Sequence, residues 1–272
     1  MGDIINYSIH GRGAPVLLLH GWAMHAGVWD GFVERLSGQY QVITVDLRGH
    51  GQSRDMAGPY TFDVFAADID NLMRHLCVKR VALIGWSMGV SILLKLLGRN
   101  GSRVGSCVFI SGNPSLVQRE GYSNGVPPVT VKRLFRNVNR NYPQGLKSFH
   151  DLLFTPEELS SVEGTHAYTT ITDKGRVPAK GAALESLQNL LDEDLRETLH
   201  RITVPTLIIH GREDRICVCA AAEYMHATIT NSRMFLLENT GHAPFVSRKN
   251  DVFSAIEEFF SAASKKACKR TG

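Results

Sequence analysis

The stretch Gly85-Trp86-Ser87-Met88-Gly89 decides the fold of this chain. An apolar, β-branched run precedes it at residues 80–84, and a helical pattern follows at residues 90–97. A serine between two glycines, at a turn from strand to helix, is typical of a nucleophile elbow. The glycines leave room in a turn so tight that the serine backbone is strained. The stretch therefore predicts Ser87 as a nucleophile at the end of a strand, the alternative being a plain glycine-rich turn.

Strand and helix patterns alternate on both sides of this elbow. Strands are predicted at residues 4–9, 15–20, 41–46, 80–85, 103–111, 204–210 and 232–238. Helices are predicted between several of them, at residues 31–36, 61–76, 88–97, 219–227 and 251–263. Such alternation predicts an α/β fold whose mainly parallel sheet is covered by helices on both faces.

The alternation stops between residues 112 and 203, a proline-containing stretch with helical patterns at 129–139 and 182–200. About 90 residues are too many for a plain loop between two core strands. We therefore expect a core formed by residues 1–111 and 204–272, with residues 112–203 inserted as a helical cap. The cap should cover the carboxyl edge of the sheet, where open α/β sheets bind ligands.

Composition excludes several classes of protein. A net charge of +4 over 272 residues is mild and gives no indication of nucleic-acid binding. We find neither a secretory signal pattern nor an apolar run long enough to span a membrane. Cys217 and Cys219 lack a second ligand pair, so no metal site is predicted. We expect a cytoplasmic monomer without metal or cofactor.

Two further residues complete a set that could activate Ser87. A serine hydroxyl needs a base to remove its proton and a carboxylate to orient that base. Asp214 follows the predicted strand at 204–210, and His242 follows the strand at 232–238. Both are therefore expected at the same edge of the sheet as Ser87. Glu213 is a rival carboxylate, but the spacing between Gly211 and Asp214 favours Asp214.

Two backbone N–H groups are predicted to form an oxyanion hole. One belongs to Met88, directly after the nucleophile. The other belongs to Trp22, in the His20-Gly21-Trp22 turn that follows the strand at 15–20. The alternative is a plain turn with a tryptophan in the core. His20, His50 and His210 are expected to serve packing or backbone hydrogen bonding.

These motifs resemble the α/β-hydrolase superfamily along most of the chain outside the cap. The matching segments are residues 20–22, 46–53, 85–89, 211–214 and 241–245, and Ser, Asp and His occur in the order usual there. Within the superfamily, the chain most resembles the pimeloyl-[acyl-carrier-protein] methyl ester carboxylesterases of biotin synthesis. Val90 departs from this pattern, because the family usually has a second glycine there.

The resemblance implies a serine carboxylesterase acting on an ester carried by an acidic acyl carrier protein. It also implies that the acyl chain contacts the segment Phe149, His150, Asp151, Leu152 and Leu153, together with Trp22, Ser87, Met88 and His242.

Charge patterning supplies an independent argument for the carrier. Residues 113–150 hold six basic residues and one acid, a formal charge of +5. A basic face would steer an acidic carrier. The predicted docking residues are Lys132, Arg133, Arg136, Arg140 and Lys147. An ordinary solvated helix face is the alternative.

Two other functions remain open. The first is an esterase or C–C hydrolase for small free substrates, which use the same three side chains. The second is a slow or non-catalytic receptor, in which these side chains form a binding site.

Overall fold

The computed structural model describes residues 4–172 and 177–268. The strands in these ranges are β1 (Tyr7–His10), β2 (Ala14–Leu19), β3 (Tyr40–Val45), β4 (Val81–Trp86), β5 (Val104–Ile110), β6 (Thr206–Gly211) and β7 (Ser232–Leu237). They form one sheet in the order β1-β3-β2-β4-β5-β6-β7. β1 pairs with β3 in antiparallel fashion, and the remaining pairs are parallel.

The described α-helices are α1 (Asp30–Leu36), α2 (Phe62–His75), α3 (Met88–Asn100), α4 (Pro128–Arg140), α5 (Tyr142–His150), α6 (Pro156–Leu159), α7 (Val162–Ile171), α8 (Lys180–Asp192), α9 (Arg196–Leu199), α10 (Cys219–Thr228), α11 (Pro244–Ser247) and α12 (Lys249–Cys268). Short 3-10 helices occupy Ala26–Trp29 and Gly51–Ser53. None of the helices within the described ranges is long and apolar enough to cross a membrane.

The central strands are buried on both faces. Leu17, Leu18 and Leu19 are consecutive in β2, and each is 0% exposed. Successive side chains of a strand point to opposite faces, so both faces of β2 are covered. All six residues of β6 are buried as well. Burial of each large apolar side chain contributes about 1.5–3 kcal/mol to the free energy of unfolding. The mainly parallel sheet, covered on both faces, confirms the predicted α/β fold class.

Helices α4 to α9 lie between β5 and β6, and α4 packs against α5 and α8. The prediction of a single helix at residues 182–200 is wrong, because the structure has two helices there, α8 and α9. The chain leaves α8 at Glu193, whose backbone is extended. The Arg119 guanidinium donates to the carbonyls of Leu191 and Glu193 at 2.8 and 3.0 Å. A helix end satisfied by a distant side chain leaves no local sequence signal.

Candidate active site

Ser87 lies in a sharp turn between β4 and α3. Its backbone has a φ of 54° and a ψ of −118°, a strained conformation for a residue with a side chain. A Cβ on Gly85 would lie 2.8 Å from the backbone of Gly89, and one on Gly89 would lie 2.6 Å from the Leu19 carbonyl oxygen. The turn therefore requires both glycines. Ser87 is 7% exposed, at the floor of a cavity.

Asp214 and His242 form a buried pair at the same edge of the sheet. The Nδ1 atom of His242 lies 2.7 Å from Oδ2 of Asp214. The other carboxylate oxygen, Oδ1, accepts the backbone N–H groups of Ile216 and Cys217 at 2.8 and 2.9 Å. These bonds fix the orientation of the carboxylate toward the imidazole.

The surroundings of Asp214 favour its charged form. Burial raises the pKa of this carboxyl, but the adjacent His242 and the hydrogen bonds from His210 and His242 lower it more. The net pKa lies well below the ordinary value, so Asp214 is ionised at neutral pH. An ionised carboxylate at this distance favours the imidazole tautomer that carries its proton on Nδ1.

The Nε2 atom of His242 is buried and has no hydrogen-bond partner among the residues that the structure describes. The Ser87 hydroxyl therefore does not donate to it in this structure. Such bonds are often long in the free enzyme and tighten when substrate binds. Trp86, the residue before Ser87, holds the backbone of His242, because its Nε1 atom donates to the His242 carbonyl at 2.8 Å.

Glu213, the rival carboxylate, is occupied elsewhere. Its Oε2 atom accepts the backbone N–H of Thr240 at 2.8 Å. The structure thus brings Asp214, and not Glu213, to the imidazole of His242.

The predicted oxyanion loop lies directly against Ser87. A Cβ on Gly21 would lie 3.2 Å from Cβ of Ser87. Met88 is the first residue of α3, and the first N–H groups of a helix have no intrahelical acceptor. The Trp22 side chain points to α8, where its Nε1 atom donates to the Ala183 carbonyl at 2.8 Å.

His20, His50 and His210 form hydrogen bonds to the backbone, as expected, and His210 makes one further contact. His20 bonds to the Gly21 carbonyl and to the Leu47 N–H, and His50 to the Arg48 carbonyl. Nε2 of His210 lies 2.6 Å from the Cys217 carbonyl, but also 3.2 Å from Oδ2 of Asp214. The contact between His210 and Asp214 was not predicted from the sequence.

A cavity of about 410 Å³ opens above Ser87. Its wall is mainly apolar and includes Trp22, Phe149 and Leu152 of the predicted substrate-contact set. The rings of Trp22 and Phe149 meet edge to face, with centroids 4.7 Å apart. A mainly apolar wall beside Ser87 suits an acyl chain.

The other members of the predicted 149–153 segment have different contacts. His150 is buried, and burial lowers its pKa to about 4. Asp151 is exposed and accepts hydrogen bonds from Lys147 and Tyr168. Leu153 is buried, and its carbonyl accepts the His242 N–H at 2.8 Å. These three are not among the described residues that line the cavity, and neither are Met88 and His242 of the predicted substrate-contact set.

Residues just after Asp214 also line the cavity, and their role there was not predicted from the sequence. They are Arg215, Ile216 and Cys217. Burial raises the pKa of the Cys217 thiol well above its ordinary value, and Asn113 donates to its Sγ atom. Their position directly after a strand-end carboxylate was the available signal. The described residues contain no group of three or more His, Cys, Asp or Glu that could hold a metal ion.

The predicted docking residues lie on α4 and α5, and all five are exposed. Arg133 lines the cavity that contains Ser87. Lys132 and Arg136 line a neighbouring groove. Lys147 forms an ion pair with Asp151 at 2.7 Å, which neutralises part of its charge.

Val90 is accommodated by a glycine elsewhere in the chain. A Cβ on Gly112 would lie 2.5 Å from Cβ of Val90. Gly112 therefore leaves the room that the larger residue of α3 requires.

The chain matches the family model of the alpha/beta hydrolase fold over residues 14–249, and it belongs to that family. It is 34% identical to a pimeloyl-[acyl-carrier protein] methyl ester esterase of Nitrosomonas europaea, over 92% of this chain and 98% of that protein. A protein of the same name from Nitrosospira multiformis is 31% identical, over 92% of this chain and 95% of that protein. The solved esterase EaEST from Exiguobacterium antarcticum superposes with a TM-score of 0.84, at 32% identity over 94% of each chain. The predicted resemblance is confirmed.

Proposed function

We propose that this chain is a serine carboxylesterase that hydrolyses the methyl ester of a pimeloyl chain carried on acyl carrier protein. In this proposal it acts in biotin synthesis, as a cytoplasmic monomer, with residues 112–203 as a cap over the site. The observation that carries the chemistry is the buried Asp214–His242 pair, at 2.7 Å, beside the strained turn of Ser87. Hydrolysis of a carboxylic ester is further supported by relatives and a solved neighbour that are named as esterases.

The reaction uses two attacks on the same carbonyl. Ser87 Oγ attacks the ester carbonyl while His242 Nε2 takes its proton, and Asp214 stabilises the imidazolium. The N–H groups of Trp22 and Met88 stabilise the oxyanion. His242 returns the proton to methanol as the C–O bond breaks, which leaves an acyl-enzyme. Water, deprotonated by His242, then releases the acid and restores Ser87.

The specific substrate is supported by the names of the relatives and by the cavity. The apolar wall with Phe149 and Leu152 suits a methylene chain. The carrier would remain outside, next to the basic side chains of α4 and α5. Arg133 connects the two regions, because it is exposed and also lines the cavity.

The first experiment compares the carrier-linked methyl ester with a small p-nitrophenyl ester, using wild type and Ser87→Ala. We expect wild type to hydrolyse both over many turnovers, and the variant to be slower by several orders of magnitude. A single turnover on both substrates would favour the receptor alternative. Efficient turnover of the small ester alone would favour an esterase for free substrates.

A second experiment tests the docking face by charge reversal. Lys132→Glu with Arg136→Glu should raise KM for the carrier-linked ester and weaken its salt dependence, because screened attraction governs the encounter. The matched control reverses two exposed cations, Arg12 and Lys79, which precede β2 and β4 at the amino edge of the sheet. Equal effects of the two pairs, or a loss on the small ester, would contradict a docking face on α4.

A further inference from the structure

Three successive backbone N–H groups in the loop after β7 each donate to a different acceptor. The Thr240 N–H donates to Oε2 of Glu213 at 2.8 Å. The next two acceptors come from the inserted segment. The Gly241 N–H donates to Oε2 of Glu158 at 3.0 Å, and the His242 N–H donates to the Leu153 carbonyl at 2.8 Å. The loop that carries His242 is therefore held partly by residues more than 80 positions earlier in the chain.

The loop that contains Gly241 lies very close to the segment that contains Leu153 and Glu158. A Cβ on Gly241 would lie 2.8 Å from the Leu153 carbonyl oxygen and 3.0 Å from Oε2 of Glu158. Gly241 is itself buried. Only a residue without a side chain permits this contact, so the glycine before His242 serves the junction with the inserted segment as well as the turn.

Glu158 is fixed at its own end of the contact. It occupies α6, where Thr155 and Glu158 form a capping box. Its Oε2 atom accepts the Thr155 N–H at 2.7 Å while it also accepts the Gly241 N–H. Its Oε1 atom is buried, and within the described ranges 4–172 and 177–268 no group forms a hydrogen bond with it. Both of these hydrogen bonds are therefore accepted by the same carboxylate oxygen, Oε2. This oxygen links α6 to the loop that contains His242.

The segment before Glu158 contacts the rest of the site. Phe149 and Leu152 line the cavity above Ser87. The Phe154 carbonyl accepts a hydrogen bond from Arg215, the neighbour of Asp214, at 3.0 Å. Residues of the segment 149–158 thus line the cavity and also contact the loop that contains Asp214 and the loop that contains His242.

We propose that Glu158 is a positioning residue that sets the place of His242 by holding the backbone N–H of Gly241, the residue before it. This inference rests on the proposed function, in which His242 is the base. A base must stay within hydrogen-bonding reach of Ser87 Oγ, and a small displacement costs far more in rate than in binding. Glu158 touches neither substrate nor the reacting atoms and acts only through Gly241.

The test uses three substitutions of Glu158. Glu158→Ala removes the acceptor, and kcat on a small neutral ester should fall on the order of 10-fold to 10²-fold with little change in KM. Glu158→Gln keeps an oxygen for both N–H groups and should restore most of kcat, because glutamine also serves in a capping box. Glu158→Asp keeps the charge and an acceptor near Thr155 but is one methylene too short for Gly241. It should resemble the alanine variant in kcat while remaining folded.

Two controls separate positioning from loss of structure. Glu157→Ala removes a neighbouring exposed carboxylate from the same short helix and should leave kcat unchanged. Thr155→Val removes the hydroxyl that accepts the Glu158 N–H, but keeps the bond from Gly241 to Glu158. It should lower the melting temperature with little change in kcat.

His242→Ala, measured beside them, makes the result decisive. If His242→Ala is inactive and Glu158→Asp has the kcat of Glu157→Ala, the positioning role is refuted and the proposed function stands. If His242→Ala keeps wild-type kcat, the proposed mechanism fails and the inference fails with it. A low kcat in Glu158→Ala and Glu158→Asp, restored in Glu158→Gln, supports the inference.

Discussion

We predict that Asp214→Asn removes nearly all turnover without unfolding the chain. One carboxylate oxygen, Oδ1, accepts the backbone N–H groups of Ile216 and Cys217 at 2.8 and 2.9 Å. The other, Oδ2, accepts Nδ1–H of His242 at 2.7 Å. An asparagine has one oxygen and one NH₂ group for these two places. Backbone N–H groups can only donate, so the oxygen should face Ile216 and Cys217, and the NH₂ group should face His242.

The size of the effect follows from the tautomer. An NH₂ group opposite Nδ1 favours an unprotonated Nδ1, and the proton then resides on Nε2. That nitrogen can no longer accept the proton of Ser87. Substitution of the triad aspartate by asparagine lowers kcat on the order of 10⁴-fold. At about 1.36 kcal/mol per factor of ten, this corresponds to a barrier higher by roughly 5.5 kcal/mol.

The assay is steady-state hydrolysis of a p-nitrophenyl ester, corrected for the concentration of folded protein. Glu213→Gln is the matched control, because it changes the adjacent carboxylate in the same way and keeps an acceptor for the Thr240 N–H. It should retain kcat within a few-fold. The assignment of the acid would be refuted if Asp214→Asn kept about a tenth or more of wild-type kcat, or if both variants lost activity equally.

Four further outcomes are expected. A fluorophosphonate probe should label wild type at Ser87 and should not label Ser87→Ala; labelling elsewhere would contradict the nucleophile. EDTA should leave activity unchanged, and a loss reversed by zinc or manganese would contradict the metal-free mechanism. Burial lowers the pKa of His50 and His150 to about 4, so the unfolded chain takes up protons first as the pH falls below about 6.5. The free energy of unfolding should therefore fall on the order of 2–4 kcal/mol between pH 7 and pH 5, and an unchanged urea midpoint would refute this. Gly112→Ala should destabilise by about 1–3 kcal/mol through contact with Val90, and Val90→Ala in the same chain should relieve part of this loss in urea denaturation.

The parts of the fold that depend on local pattern could be predicted from sequence. A strand buried on both faces is an unbroken apolar run, and residues 16–19 of β2 form such a run. The elbow was predictable for a similar reason, because its glycines and its serine are adjacent in the chain. The choice between Asp214 and Glu213 was harder, since both follow the same strand. The spacing between Gly211 and Asp214 favoured Asp214. The turn of the backbone after Gly211 brings Asp214 to His242 and Glu213 to the Thr240 N–H.

The contacts of the inserted segment could not be predicted in this way. The end of α8 is satisfied by Arg119, and the loop of His242 is held by Glu158. In each case the two partners are far apart in sequence, and each looks like an ordinary charged surface residue. A charged residue between polar neighbours gives the same pattern whether it faces solvent or a buried N–H group. Only the packing of the helices distinguishes these possibilities.

The placement of residues 149–158 has a consequence for protein engineering. Exchange of whole caps between members of a family assumes that the core alone holds its catalytic loops in place. Here the hydrogen bonds to the amides of Gly241 and His242 come from the inserted segment. A chimera joined at residues 111 and 204 would therefore discard part of the scaffold. A chimera that keeps residues 149–158 of this chain and exchanges only the helices around them would retain these hydrogen bonds. The boundaries of an exchangeable unit should therefore lie between residues 111 and 204, not at them.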